Sequence, residues 1–146
     1  MAKIVSINIS EKKGTVKVPV QSALMKENFG LVGDAHAGDT IRQISLLDSE
    51  SIKAAKKQGI SVDMGDFAEN ITTEGIELLN LNIGDKLIVG NGVLEITQIG
   101  KKCHQMCDVG KRVGDCIMPK RGIFAKVIKG ATISVGDNIK YWGRFC

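Results

Sequence analysis

Residues 82–99 read NIGDKLIVGNGVLEITQI, and their pattern decides the fold. Ile83-Gly84-Asp85 is a turn opening into residues 86–89, and Asn91-Gly92 is a hairpin signal leading into residues 93–99. The same rhythm of short apolar runs and turns continues downstream. Residues 123–129 and 132–134 read as strands, and Val135-Gly136-Asp137 repeats the Gly-Asp turn before a last strand over 138–142. The echo of IGDKLIV in VGDNIKY is a local turn device rather than a domain repeat.

Upstream, residues 3–9 alternate and place Val5, Ile7 and Ile9 on one side of a half-buried strand. Lys12-Lys13-Gly14 is a turn, and residues 15–20 alternate again with Val16, Val18 and Val20 inward. Pro19 cannot donate to a neighbouring strand, so this run belongs at a sheet edge. Residues 21–30 are weakly patterned, a short helix or a loop, and residues 41–47 resume an apolar strand. The one clear helix covers residues 48–58. Asp48 or Ser49 can cap its N-terminus, Glu50 sits in the first turn, Lys53, Lys56 and Lys57 crowd its end, and Gly59 stops it. Its narrow apolar face (Ile52, Ala55) suits packing on the outside of a sheet. Residues 67–75, FAENITTEG, read as polar and irregular, followed by a short helical turn over 76–79.

Seven to nine short strands with one or two short helices predict a mainly β chain curled into a closed or nearly closed barrel. No linker or low-complexity stretch divides the 146 residues, so a single domain over 1–146 is expected. The apolar fraction of 43% and charged fraction of 25% are those of an ordinary globular protein. MAKIVSINIS carries no signal-peptide pattern, and no window approaches the ~20 apolar residues of a membrane span. The expected location is therefore the reducing cytoplasm, with the four cysteines as thiols.

Residues 101–121, KKCHQMCDVGKRVGDCIMPKR, concentrate the chemistry. They hold Cys103, Cys107 and Cys116, and His104, one of two histidines. Their basic side chains (Lys101, Lys102, Lys111, Arg112, Lys120, Arg121) outnumber Asp108 and Asp115 by the whole chain's net charge of +4. So local an excess, with only 4% aromatic residues, argues against a nucleic-acid face and for one small anionic ligand. Lys101, Lys102 and Arg121 would favour the thiolate form of a nearby cysteine, as a nucleophile or soft-metal ligand requires. Buried packing thiols are the plain alternative. A zinc site is a further one, though a C-x3-C spacing lacks the usual paired knuckles.

A second candidate is the glycine-bracketed loop GDAHAGD, residues 33–39. Gly33 and Gly38 would let backbone N–H groups approach an anion beside His36, with Arg42 near enough to bring its fork to the same point. A tight turn with an exposed histidine fits equally well. Glu69 and Asn70 have no helix to sit on and read as loop-bracing side chains, with a general-base role open to Glu69. No Ser-His-Asp pattern, phosphate-cradling loop or dinucleotide fingerprint is present.

The ordered blocks GDAHAG, RQISLL, FAENITTEGI, IGDKL, CHQMC, DCIMPKRGIFAKVIKG and the closing VGD resemble a MOSC domain, the C-terminal domain of molybdenum cofactor sulfurases. The likeness runs from about Gly14 to Trp142 and is nearest to the small standalone bacterial form. It implies a MOSC-like, pyruvate-kinase-barrel-like β-barrel that handles molybdenum cofactor (molybdopterin) or its sulfur. Family-level pyridoxal phosphate binding, sulfurase-like sulfur transfer or a place in a molybdenum-dependent reductase are implied with it. By the same resemblance Cys103 is the first choice for the reactive, metal-ligating thiol, with Cys116 second and Cys107 third. His36, Arg42, Glu69, Asn70, Lys101, Lys102 and Arg121 would contact the cofactor. A cysteine-desulfurase-like sulfur donor or a molybdoenzyme is the implied partner. A non-catalytic module delivering cofactor to such an enzyme is the alternative reading, and no nucleic acid or membrane partner is expected.

Overall fold

The computed structural model describes residues 2–12, 17–35, 37–57, 59, 64–65, 67, 69–100 and 122–142. Eleven strands are present among them: β1 (Lys3–Ile9), β2 (Val18–Val20), β3 (Ser22–Lys26), β4 (Gly30–Leu31), β5 (Ile44–Asp48), β6 (Ile71–Glu74), β7 (Lys86–Val89), β8 (Gly92–Ile99), β9 (Ile123–Lys129), β10 (Ala131–Ser134) and β11 (Ile139–Trp142). One helix, α1 (Ser49–Lys57), and a 3-10 turn, Leu78–Asn80, complete the described elements. The mainly β expectation is met.

Eight strands form one sheet in the order β11-β7-β8-β9-β5-β6-β1-β2. The sheet curls until its ends nearly meet. Beyond β2, the free edge of β1 receives the chain entering β11: Ile4 N donates to Asp137 O (2.9 Å), Gly136 N to Ile4 O (2.9 Å) and Ile139 N to Ala2 O (3.0 Å). Inside lie Ile4, Ile7, Leu46, Ile71, Leu87, Leu94, Ile96, Ile123 and Val127, all essentially buried. A second sheet, β10-β3-β4, lays Met25, Leu31 and Ile133 onto the same core. β5 and β6 run parallel, joined through α1, and every other described pairing is antiparallel.

Local chemistry accounts for the elements that matter to the site. Asp48 caps α1: its Oδ2 accepts from Ser51 N (3.0 Å) and its Oδ1 from the Ser51 hydroxyl (2.7 Å). At the other end Gly59 N donates to Lys56 O (3.0 Å). The two Gly-Asp turns are the same device. Asp85 Oδ2 accepts from Asn82 N (2.8 Å) and Asp137 Oδ2 from Ser134 N (2.9 Å), while Gly84 and Gly136 stand at φ 95° and 96°. A side chain there would suffer left-handed strain.

Several expectations need correction. Residues 21–30 are neither helix nor loop but the β3–β4 hairpin. FAENITTEG is not irregular throughout: β6 pairs on both edges, with β5 and β1, and its Thr72 and Thr73 are buried. The β7–β8 loop is Gly90-Asn91, since Val89 pairs with Gly92. In β1 a register shift between Ile4 and Ser6 puts Ile4 in the core where alternation put Val5. β2 is an edge strand as Pro19 demands, but Val18 is 63% exposed and does not point inward. Val16, the turn at 13–14 and Gln58 lie outside the described residues.

Candidate functional site

Side chains on the core face of β5 and β1 are apolar, as is Ile71 of β6, whereas the opposite face carries a polar row, buried over most of its length. It begins with the half-buried Gln98 on β8, which pairs with Phe124 on β9, which in turn pairs with Ser45 on β5. Ser45 N donates to Asn70 Oδ1 (3.0 Å) and Asn70 N to Ser45 Oγ (3.0 Å). Asn70 Nδ2 then donates to Asn8 O (3.2 Å), and Asn8 N to Asn70 O (2.7 Å). Asn8 Nδ2 reaches Glu69 O (3.1 Å) and Thr72 Oγ1 (3.2 Å). Most buried polar groups in folded proteins are bonded in this way. Asn70 ties β5, β6 and β1 into one unit and is fully buried.

Glu69 is also fully buried. Its Oε2 accepts from the Thr72 hydroxyl (2.8 Å), while Oε1 has no partner of hydrogen-bond geometry among the described residues. Burial raises its carboxyl pKa, and the backbone N–H groups of Gly65 and Glu69 and the Thr72 hydroxyl offset that only in part. The net effect favours the protonated carboxyl more than in a solvent-exposed glutamate.

Beyond Asn8 the row ends in an ion pair that nothing in the sequence pattern announced. Lys17 Nζ lies 2.7 Å from Asp34 Oδ1, and both side chains are wholly buried. Lys17 Nζ also donates to Ser10 Oγ (3.2 Å), and Ser10 N donates to Asp34 Oδ1 (3.0 Å). Burial alone would raise the Asp34 pKa, but the Lys17 ammonium and the Ser10 N–H outweigh it and hold the carboxyl below its ordinary value. Asp34 thereby anchors the 33–38 loop, whose Ala35 N donates to Ser10 O (2.8 Å) and Gly38 N to Phe29 O (2.6 Å). By parity Lys17 belongs opposite Val18, on what reads as a solvent face. The segment bearing Gly65 covers it: Lys17 N donates to Gly65 O (2.8 Å).

Arg42 sits at the other end of the row. Its Nε donates to Gln98 Oε1 (2.8 Å), and its guanidinium carbon lies 5.3 Å from the centre of the Phe124 ring. Gln98 Nε2 donates to Gly100 O (2.7 Å), and Gly100 N donates to Gly122 O (2.7 Å), closing the neck from which residues 101–121 depart. The Arg42 head therefore rests beside the root of the cysteine-bearing segment. Of the site residues expected from sequence, Arg42, Glu69 and Asn70 are described and lie along this row. His36, Lys101, Lys102, Cys103, Cys107, Cys116 and Arg121 lie outside the described residues. Among the described residues no three His, Cys, Asp or Glu side chains gather to hold a metal ion, and no helix is long and apolar enough to cross a membrane. A shallow groove of about 380 Å³ at the opposite end of β8, lined by Gly90, Asn91, Asp137, Asn138 and Lys140, is remote from this neck.

Sequence reasoning missed Lys17, Gln98, Ser45 and Asn8. Gln98 stands two places after Ile96, which strict alternation would put on the core face. A bulge between Ile96 and Gln98 moves it to the Phe124 face.

Solved structures share the fold. YiiM from Geobacillus stearothermophilus superposes with a TM-score of 0.77 at 20% identity, over 99% of this chain and 76% of its own. The YUAD protein from Bacillus subtilis gives 0.77 at 21% identity, over 96% and 94% respectively. YiiM from Escherichia coli gives 0.72 at 18% identity, over 99% and 71%. No curated protein sequence matches the chain. The family model of the MOSC domain matches residues 33–140, a span running from the loop that Asp34 anchors to β11, and the chain belongs to the MOSC domain family.

Proposed function

We propose that this chain handles molybdenum cofactor, binding a molybdopterin-type cofactor or carrying its sulfur on a cysteine of residues 101–121, with Cys103 first. The MOSC family is associated with molybdenum-cofactor-related proteins. The observation that carries the reading is the placement of Arg42. Its guanidinium is fixed beside the Gly100–Gly122 neck, and its terminal nitrogens have no partner among the described residues.

The described residues fit one part of such a cofactor, its phosphate. A fixed guanidinium can grip two phosphate oxygens at once. Lys101, Lys102, Arg121 and His36 would extend the cationic rim. The bound cofactor would supply a thiophilic metal centre, and a cysteine thiolate is the protein ligand suited to it. The same thiolate suits sulfur transfer from a cysteine-desulfurase-like donor. It attacks the outer sulfur of the donor's persulfide, the donor's S–S bond breaks, and the donor leaves as thiolate with no net redox change. Asn70 and the Lys17–Asp34 pair do none of this chemistry but hold β5, β6 and the 33–38 loop around it.

Elemental and pterin analysis of the protein purified from molybdenum-replete cells tests the reading. Molybdenum and pterin in near-equal amounts, or a persulfide on the protein, supports it. Protein free of molybdenum, pterin and persulfide from several such preparations rules it out.

A further inference from the structure

We propose that Gln98 is a positioning residue that aims the free edge of Arg42 at a tetrahedral oxyanion, a phosphate group, and ties that grip to the root of the cysteine-bearing segment. The proposal deepens the cofactor reading above and rests on it for the anion's source.

The geometry leaves Arg42 one way to bind. Its backbone N donates to Thr40 Oγ1 (3.2 Å), its Nε is taken by Gln98 Oε1, and one face lies over Phe124. Phe124 is itself only 6% exposed, so the platform is packed in place. What remains is the edge bearing the two terminal nitrogens, whose parallel N–H groups match two oxygens of one phosphate. No described carboxylate competes for them.

The orientation of the Gln98 amide follows from chemistry alone. Arg42 Nε can only donate and Gly100 O can only accept, so the amide oxygen must face Arg42 and the NH₂ must face Gly100. Glutamate cannot take its place, because a second carboxylate oxygen would meet Gly100 O with no proton between them. An isosteric apolar side chain would leave Arg42 charged and stacked but free to swing. Gly100 also donates across the neck to Gly122. One amide therefore joins the anion-binding edge to the point where residues 101–121 begin.

The test titrates inorganic phosphate and a phosphate monoester (4-nitrophenyl phosphate) into parent, Gln98→Met, Arg42→Lys and the double variant, by calorimetry. Gln98→Met is expected to weaken both ligands about five- to tenfold, with the thermal midpoint unchanged. Arg42→Lys keeps the charge but loses the fork, and weakens binding at least as much. In the Arg42→Lys background Gln98→Met should have no further effect, a coupling that a merely structural role would not produce. Tighter binding of the monoester assigns the site to a phosphate carried on a larger ligand, and equal binding to free phosphate. Gln98→Met binding within twofold of the parent, a Gln98→Met effect that persists in the Arg42→Lys background, or no binding by the parent overturns the proposal. Gln98-dependent phosphate binding in a protein that never carries pterin or persulfide would keep this inference and discard the cofactor reading.

Discussion

Replacing Lys17 by methionine keeps the stem of the side chain and deletes only the buried ammonium. At 2.7 Å and a dielectric near 20, the Lys17–Asp34 attraction is about 6 kcal/mol, and desolvating two ions costs several kcal/mol each. The intact pair is therefore close to neutral for stability, but half of it is not. In Lys17→Met the Asp34 carboxylate stays wholly buried, with the Ser10 N–H still bonded to it. A loss of about 3–5 kcal/mol is expected, a large share of the ~5–15 kcal/mol of a typical domain. With an m-value of about 2 kcal/mol per M, the urea midpoint should fall by roughly 1.5–2.5 M. Lys17→Met/Asp34→Asn, which removes both charges and leaves an acceptor for Ser10 N, should recover most of it. The acid limb should change too. The depressed Asp34 pKa contributes stability above about pH 4 that is lost as pH falls through the folded value, so Lys17→Met should show a shallower acid transition. A midpoint within about 0.3 M of the parent, or a double variant no better than the single, would refute the buried-pair reasoning.

Glu69 works in the opposite sense. Its raised folded pKa means stability is greatest below the ordinary carboxylate range and declines as pH rises through the folded value, so Glu69→Gln should gain on the parent as pH rises above about 4.5 in urea titrations. Parallel pH profiles would contradict this. Gly65 stands at φ 90°, and an added Cβ would overlap the Lys17 carbonyl oxygen, so Gly65→Ala should lose about 2–4 kcal/mol by the same assay. Asp137→Ala removes the side-chain acceptor from the turn that joins β10 to β11 and should lower stability by about 1 kcal/mol, read as a thermal shift of a few degrees.

Much of the barrel could be read from local signals because those signals act locally. Asp48, Glu50 and the terminal lysines define α1 without help from the rest of the chain, and the twin Gly-Asp turns are closed by their own aspartates. Where reading failed, a long-range contact or a bulge decided. Ile4 replaces Val5, and Gln98 leaves the core face, because extra residues shift the register within β1 and β8. β6 looks polar because its Thr72 and Thr73 are buried rather than exposed, and only the fold supplies Asn8 and Glu69 as partners for Thr72. Lys17 follows the same rule. The pairing of Arg42 with Gln98, 56 positions apart, is likewise invisible to spacing.

Chemistry should depend on the thiol more than on any single charge, because serine neither binds a soft metal well nor forms a persulfide. Cys103→Ser, with Cys107→Ser and Cys116→Ser beside it, tests this when molybdenum content and persulfide labelling are measured on purified protein from molybdenum-replete cells and folding is checked by circular dichroism. Cys103→Ser should abolish molybdenum retention or persulfide formation, whereas Lys101→Ala should only weaken cofactor affinity, by about five- to a hundredfold for one charge-assisted hydrogen bond. Three folded cysteine variants indistinguishable from the parent would contradict the reading and leave the cysteines as packing residues.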